Sequence, residues 1–438
     1  MALHAMSPSP EIPQRIGKYE VKRILGKGAT GSVYLAADPF AQREVALKVM
    51  EKLSSDPDLA RKQLRFFQNE AALAGKLRHP HIVSILDAGI DDISGTEPLR
   101  YLVMEFVQGD ALTECCRPNA LLEPAQVIEI AYKCCKALEF ANGLGVVHRD
   151  IKPANILMHG DFDIKVADFG AAQLARSEVT QVAGVGSPSY MSPEQVKGEE
   201  IDWRTDVYSL GAVVYHLLTS RRPFSGSNTY ELIEAILKSN PPPPSTLRPG
   251  SPEELDEIVS RAMGKSRDSR YASWEEFGDA LASLLSSSKS GGDLLDAEKF
   301  GASRRLKFFQ RFSDVELWEV VRASKWKQHA GGEELFREGT PDEHFYVLAS
   351  GLLKVTQRGK LLNAVSPGEC VGEMAYARRD SSQVRSATVT AIEPSWAMRM
   401  KVQDVDSLSE GCRSRFNEAF LAIMADRLSM LGGRLVAM

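Results

Sequence analysis

The chain has 438 residues, room for two or three folded units at about 150 residues each. With 43% hydrophobic and 25% charged residues it has the composition of a globular protein, which excludes disordered, fibrous and membrane-embedded classes. A net charge of -5 and a pI near 6.0 give no basic field of the kind that recruits nucleic acid, so nucleic acid is not an expected partner.

In chain order, the opening Met1 to Pro10 lacks the basic start and long apolar run of a signal peptide. Residues 1–17 are read as a disordered tail. From Tyr19 to Val49 the pattern is strand-rich, and long helical patterns follow. The most apolar stretch, Val207 to Leu218, is shorter than the ~20 residues that span a bilayer, so no membrane association is expected. Four consecutive prolines, Pro241 to Pro244, sit between helical patterns and mark an internal loop. The run Ser286-Ser287-Ser288-Lys289-Ser290-Gly291-Gly292 has linker composition and opens the main boundary, 286–296. Beyond it, short alternating runs such as His344-Phe345-Tyr346-Val347-Leu348 are punctuated by Gly332, Gly339, Gly351 and Gly368, the texture of a mostly β unit. An α+β unit over 18–285 is therefore expected to precede a β-rich unit over 297–438. Six cysteines stand as two adjacent pairs and two singles without Cys-x-x-Cys spacing, which points to reduced buried thiols in a cytoplasmic protein.

The first chemical signal is Gly26-Lys27-Gly28-Ala29-Thr30-Gly31-Ser32-Val33, whose glycines let backbone lie close over phosphates. A dinucleotide-binding fold would place a helix next. Here Val45-Ala46-Leu47-Lys48 follows instead, a strand-like run ending in a cation. With His148-Arg149-Asp150-Ile151-Lys152-Pro153-Ala154-Asn155 and Asp168-Phe169-Gly170 downstream, residues Tyr19 to Leu285 resemble the eukaryotic-type protein kinase family. The run at 186–195 looks most like its bacterial members, and the implied fold is bilobal.

That resemblance implies ATP and Mg²⁺ (or Mn²⁺) as cofactors and protein serine or threonine hydroxyls as acceptors. Charge spreads over the transferred phosphoryl group, so the chemistry calls for positioning and electrostatic stabilisation. Lys48 is expected to hold the α- and β-phosphates and to be fixed by Glu70. Asp150 would orient or accept the hydroxyl proton, Lys152 would steady the γ-phosphate, and Asn155 and Asp168 would hold the metal. The nucleotide would lie under Leu25, Gly26, Lys27, Gly28, Gly31 and Val33, with Ala46 behind the base, the backbone of Glu105 and Val107 at its edge, and Asp110 on the ribose. Between Asp168 and Ser192-Pro193-Glu194 lies a segment resembling an activation loop. Thr180 is the preferred phosphorylation site there and Ser177 a second candidate, while Ser187 shapes the substrate slot. Glu194 with Arg270 matches the family's structural ion pair, and Asp206 its anchor for the catalytic loop. Ala154 stands where kinases that prefer basic substrates often carry glutamate, which argues against a basic motif.

In the second unit, Gly332 to Gly339 and Tyr346 to Gly351 resemble the cyclic-nucleotide-binding domain, a β-roll flanked by helices. A generic jelly roll is the alternative. Gly372-Glu373-Met374-Ala375 and Arg385-Ser386-Ala387-Thr388-Val389 match the two ends of that family's phosphate-binding cassette. The interval between them is longer than the family's and carries Arg378, Arg379 and Asp380. Two readings stay open: a sensor for cAMP or cGMP, with Ala387 leaning toward cAMP, or a roll kept as an interaction surface. The stripe Phe416, Phe420, Ile423, Met424, Leu428 and Leu431 in the last helical stretch is placed to face the core, close over a ligand or pair two protomers in a homodimer. Since the chain ends shortly after Leu431, no helix-turn-helix of a transcription factor is expected. Ser303 and Ser324 lie beside Arg304, Arg305 and Arg322, a pattern read in preference as plain surface charge and alternatively as a substrate-like flank. The expected whole is a serine/threonine kinase regulated in cis, with a pseudokinase scaffold as the competing class.

Overall fold

The computed structural model describes residues 13–28, 31–50, 53–92, 98–160, 162–169, 173–174, 188–287, 294–378 and 384–436. Thr180, Ser177 and Ser187, Ala29 and Thr30 of the glycine-rich loop, most of the serine-glycine linker and Arg379 and Asp380 fall outside them. The chain divides into two compact units, Met1–Leu284 and Leu285–Met438.

The first unit begins with an antiparallel sheet built from β1 (Tyr19–Gly28), β2 (Gly31–Asp38), β3 (Arg43–Met50), β4 (Ile85–Asp91) and β5 (Leu99–Glu105), with the short strand Arg15–Ile16 at one edge and the order β1-β2-β3-β5-β4 from there. β3 is central, so Val45 to Val49 is buried on both faces. A continuous apolar run is what such a strand requires. Lys48 is the one cation in that run, and its charge must therefore be matched. Ile16, Tyr19, Ala36, Val45, Leu47, Val49, Tyr101 and Val103 form the core on one face. Helix α1 (Pro57–Ala71) starts where the Asp56 carboxylate accepts hydrogen bonds from the Asp58 and Leu59 N–H groups, with Pro57 at its first position.

The rest of this unit is helical around α2 (Pro124–Gly143) and α3 (Arg204–Thr219), both almost wholly buried. Against α2 lies the hairpin of β6 (Ile156–His159) and β7 (Asp163–Val166), paired in register from Val166 opposite Ile156 to Asp163 opposite His159. The short strand Asp110–Ala111 adds to β6.

The second unit opens with α4 (Asp296–Arg305) and α5 (Asp314–Ala323), the latter closed by a Ser313–Glu316 capping box. Eight strands follow: β8 (Lys325–His329), β9 (Glu334–Phe336), β10 (His344–Ser350), β11 (Leu353–Gln357), β12 (Lys360–Val365), β13 (Cys370–Val371), β14 (Thr388–Ala391) and β15 (Ser395–Lys401). They form two antiparallel four-stranded sheets, ordered β8-β15-β10-β13 and β9-β14-β11-β12. Tyr346, Leu348, Leu353, Val365, Val371, Val389, Ala391 and Ala397 fill the space between them. Helix α6 (Glu373–Arg378) interrupts the strands, and α7 (Glu410–Val436) follows them. Phe416 and Phe420 of α7 are buried against Phe308, Phe345 and Tyr376. That is the core-facing use of the stripe.

The reading of Ser303 and Ser324 as substrate-like flanks is corrected. Ser303 is fully buried, and Ser324 is 8% exposed with its hydroxyl donating to the Val321 carbonyl and accepting from Trp326 Nε1. Their neighbouring arginines face solvent because α4 and α5 turn the serine side inward. Among the described residues no helix is long and apolar enough to cross a membrane. All six cysteines are buried and unbridged.

Candidate active site

The tip of the β1–β2 hairpin carries the glycine-rich turn, with Gly28 opposite Gly31. Gly31 has φ +146°, and a β-carbon there would lie 2.0 Å from the Val49 carbonyl oxygen, so only glycine lets β2 run this close to β3. Gly26, Lys27 and Gly28 are exposed, Leu25 is 37% exposed, Val33 is half-buried and Ala46 is buried. These residues form one wall.

Lys48, paired across the sheet with Val33 and Leu102, extends its ammonium between two carboxylates. Nζ is 2.9 Å from Oε2 of Glu70 and 2.5 Å from Oδ1 of Asp168. Glu70 is the penultimate residue of α1, and Asp168 lies just beyond β7. Burial alone would lower the Lys48 pKa, but the two carboxylates outweigh it and hold the amine firmly protonated. Burial pushes Asp168 up, but the charge and hydrogen bond of Lys48, with the charges of His148 and Lys152, together hold it below its ordinary value. Burial and the Asp168 charge raise Glu70 against the pull of Lys48.

The loop before β6 supplies a second cluster. Lys152 Nζ is 2.7 Å from Oδ2 of Asp150. The Asn155 amide donates to the Asp150 carbonyl at 2.8 Å and to its Oδ2 at 3.1 Å, which spends both of its N–H bonds and leaves Oδ1 as an acceptor. The loop is held from below. Asp206, at the start of α3, accepts from the His148 and Arg149 N–H groups at 2.7 Å each. Arg149 and Asp168 both adopt left-handed φ, 68° and 63°, a conformation that costs about 1–3 kcal/mol and persists only where the surroundings enforce it. Glu194 and Arg270 make a buried bidentate pair at 2.7 and 2.8 Å. Gln195, in the same short helix as Glu194, donates to the Arg149 carbonyl.

Sequence reasoning missed Lys165. Its ammonium lies 3.0 Å from Glu105, the residue expected at the edge of the base, and so ties β7 to the end of β5. No motif announces a contact across that distance in sequence. Val107 is half-buried and Asp110 is exposed beside β6.

Among the described residues no group of three or more His, Cys, Asp or Glu is arranged to hold a metal unaided. Mg²⁺ does not require one, since it is commonly held by one or two carboxylates together with substrate phosphates. The Asp168 carboxylate and the Asn155 Oδ1 are hard oxygen donors of that kind and fit such an ion.

In the roll, Arg385 is 6% exposed and already engaged. Nη2 is 2.7 Å from Oδ2 of Asp342 and also donates to the His344 carbonyl, and the guanidinium stacks 4.0 Å over the Phe336 ring. Its Nε–H is buried and has no hydrogen-bond partner among the described residues. Gly372, φ +81°, faces it so closely that a β-carbon would lie 2.7 Å from Nη1. Glu373 is buried, Met374 is 41% exposed, Ala387 is half-buried, and the exposed Ser386 accepts through its carbonyl from Gln357. A guanidinium with a spare N–H beside a buried glutamate suits a cyclic phosphate and a ribose hydroxyl. Asp342, missed in the sequence, competes for the same guanidinium.

Residues 19–280 match the protein kinase domain, and residues 326–411 match the cyclic nucleotide-binding domain. Serine/threonine-protein kinase PknB of Mycobacterium leprae is 40% identical over 263 residues, which is 59% of this chain and 42% of that protein. PknB of Mycolicibacterium smegmatis is 40% identical over 265 residues, with the same shares. A probable serine/threonine-protein kinase, SCO3848, of Streptomyces coelicolor is 39% identical over 272 residues, 61% of this chain and 40% of that protein. The chain thus spans about two fifths of the length of these curated relatives.

Proposed function

The chain belongs to the protein kinase family, and from that premise we propose that it transfers the γ-phosphate of ATP to serine or threonine hydroxyls of protein substrates, under control in cis of a C-terminal cyclic-nucleotide sensor. The observation that carries the first half is the convergence of Lys48, Glu70 and Asp168 in one cluster around the buried Lys48–Glu70 pair, beside Asp150, Lys152 and Asn155 in another.

Each residue has a task in that reaction. Lys48, held by Glu70, binds the α- and β-phosphates, and Lys152 neutralises charge on the group in transfer. Asp150 orients the attacking hydroxyl and takes its proton; its bond to Lys152 and the Asn155 amide sets the direction of its free oxygen. Asn155 and Asp168 would hold Mg²⁺ or Mn²⁺, which when bound supplies charge neutralisation across the phosphates. Glu105 and Val107 would receive the base through their backbone groups, and Asp110 the ribose.

The test is transfer of labelled γ-phosphate to protein with Mg²⁺ or Mn²⁺, followed by phosphoamino-acid analysis. Wild type should label serine or threonine, and Asp150→Asn should lose about two to four orders of magnitude, the range for a removed general base. Equal silence of both, over several protein substrates, would leave the scaffold reading standing. For the roll, Gly372, Glu373, Met374, Arg385, Ser386 and Ala387 would form the nucleotide site. The spare Nε–H of Arg385 supports a ligand, while the Asp342 pairing supports the alternative, a roll used for protein contacts. Calorimetry of the full chain with cAMP and with cGMP separates them: heat with either nucleotide supports the sensor, and its absence with both removes it.

A further inference from the structure

The β6–β7 hairpin carries the two candidate metal ligands at its open end. Asn155 directly precedes β6, Asp168 follows β7 by two residues, and the Ala167 N–H donates to the Asn155 carbonyl at 2.8 Å. The closed end is held by charges that the proposed chemistry does not use. Lys133 of α2 has a fully buried side chain, yet its Nζ is 3.0 Å from Oε1 of Glu129, 3.2 Å from the Phe162 carbonyl in the turn and 3.8 Å from Oδ1 of Asp163. Phe162 is itself left-handed, φ 59°, a conformation that needs enforcement from outside the turn.

Asp163 gathers further partners. Its Oδ1 accepts from the Ile164 N–H and lies 3.2 Å from Nδ1 of the buried His81, and its Oδ2 is 3.5 Å from Nε2 of His159. His81 belongs to the segment between α1 and β4, which runs beside β7: Val166 N–H donates to the His81 carbonyl at 2.8 Å and Val83 N–H to the Val166 carbonyl at 2.9 Å. One buried cluster therefore fastens α2, the hairpin turn and the segment that follows the helix of Glu70.

A buried ion cluster is a weak source of stability, because desolvation offsets most of the attraction; what it can provide is a single geometry. Sliding β6 against β7 by one residue would move Asn155 relative to Asp168 and turn alternate side chains to the other face. We propose that the cluster of Lys133, Glu129, Asp163 and His81 is a positioning device that fixes the hairpin register and, through it, the spacing of Asn155 and Asp168, so that it sets the divalent-cation affinity of the site. This rests on the reading that Asn155 and Asp168 hold the cation.

The experiment titrates Mn²⁺ into the full-length chain with ADP present and follows free Mn²⁺ by electron paramagnetic resonance. Wild type, Lys133→Met, Lys133→Arg, Asp163→Asn and Asp168→Asn are compared, each with a thermal melt and with ADP affinity in the absence of metal. Lys133→Met and Asp163→Asn should weaken Mn²⁺ binding roughly 5- to 10-fold, at or below the low end of the effect known for groups that support metal ligands. Metal-free ADP affinity should stay unchanged, and Lys133→Arg should recover most of the loss. Asp168→Asn tests the underlying assignment, and unchanged Mn²⁺ binding there would sink that assignment and this proposal together. If Asp168→Asn loses the ion while folded Lys133→Met and Asp163→Asn bind it as wild type does, the positioning role alone is wrong. Should Lys133→Met not melt cooperatively, Asp163→Asn decides, since it keeps the side-chain shape and an oxygen for the Ile164 N–H. Failure of both to fold would assign the cluster to stability and overturn the proposal.

Discussion

Lys48 and Arg385 are both buried cations assigned to a phosphate, and both stand against carboxylates, but the carboxylates play different parts. Around Lys48, Glu70 is a fixed support and Asp168 is itself part of the expected phosphate and metal chemistry, so the cluster is complete before a ligand arrives. Around Arg385, Asp342 and the His344 carbonyl engage Nη2 of the guanidinium, and Phe336 covers its plane. A lysine ammonium is compact and can serve several oxygens, whereas an arginine fork is planar and commits its N–H bonds in fixed directions. The catalytic cluster is preassembled. In the roll, a phosphate seeking Nη2 would first have to displace Asp342.

The largest expected effect falls on the preassembled side. Lys48→Met should reduce kcat/KM by about 10²–10³, the loss typical of one preorganised charge donor at the reacting group, measured by steady-state phosphotransfer. A reduction below tenfold would mean that the cluster is scaffold rather than machinery. Arg270 provides the contrast with a cation whose role is structural only: Arg270→Leu leaves Glu194 buried and unpaired and should cost about 3–5 kcal/mol in denaturant unfolding. Burial pushes Glu194 up, but Arg270 and Thr205 outweigh it and hold its carboxyl below the ordinary 4.5. The contribution of that pair is therefore complete above about pH 4.5 and is lost as pH falls through the lower folded value.

On the exchanging side, Asp342→Ala should strengthen cyclic-nucleotide binding about tenfold, or 1.4 kcal/mol, in a calorimetric titration. No change would show that Asp342 does not compete. The smallest effect is in pH. Burial raises the Asp342 carboxyl, yet Arg385 and His344 together hold it below its ordinary 3.8. Its support of the roll is thus present above about pH 4 and fades below it, so the difference in melting temperature between wild type and Asp342→Ala should narrow from pH 6 to pH 3.

What could be read from the sequence follows the same division. Lys48, Asp150, Asn155 and Asp168 sit in short contiguous motifs, because a strand end or a tight loop is enough to aim each of them. Glu70 was legible from its place in the helix after β3, and the folded chain brings it to Lys48. Lys165, Asp342 and Lys133 were not, since each acquires meaning only from a partner brought near by tertiary packing: Glu105 is 60 residues from Lys165, and Arg385 is 43 from Asp342. The α+β texture of the first unit and the β-rich texture of the second were readable from periodicity and glycine punctuation, and the kinase and β-roll readings from motifs that resemble those families. The inward turn of Ser303 and Ser324 was not, because neighbouring arginines suggested a surface and the helix faces decided otherwise.

The six buried thiols have a practical corollary. Burial pushes Cys116 and Cys134 up to about 12, so in the folded chain almost none of either exists as the nucleophilic thiolate. Opening of the first unit would release four ordinary thiols, and opening of the second the other two. Alkylation by a maleimide dye should therefore proceed only as fast as the chain opens, and the order in which the 115–116, 134–135, 370 and 412 sites are labelled would time the loosening of each unit without any engineered probe.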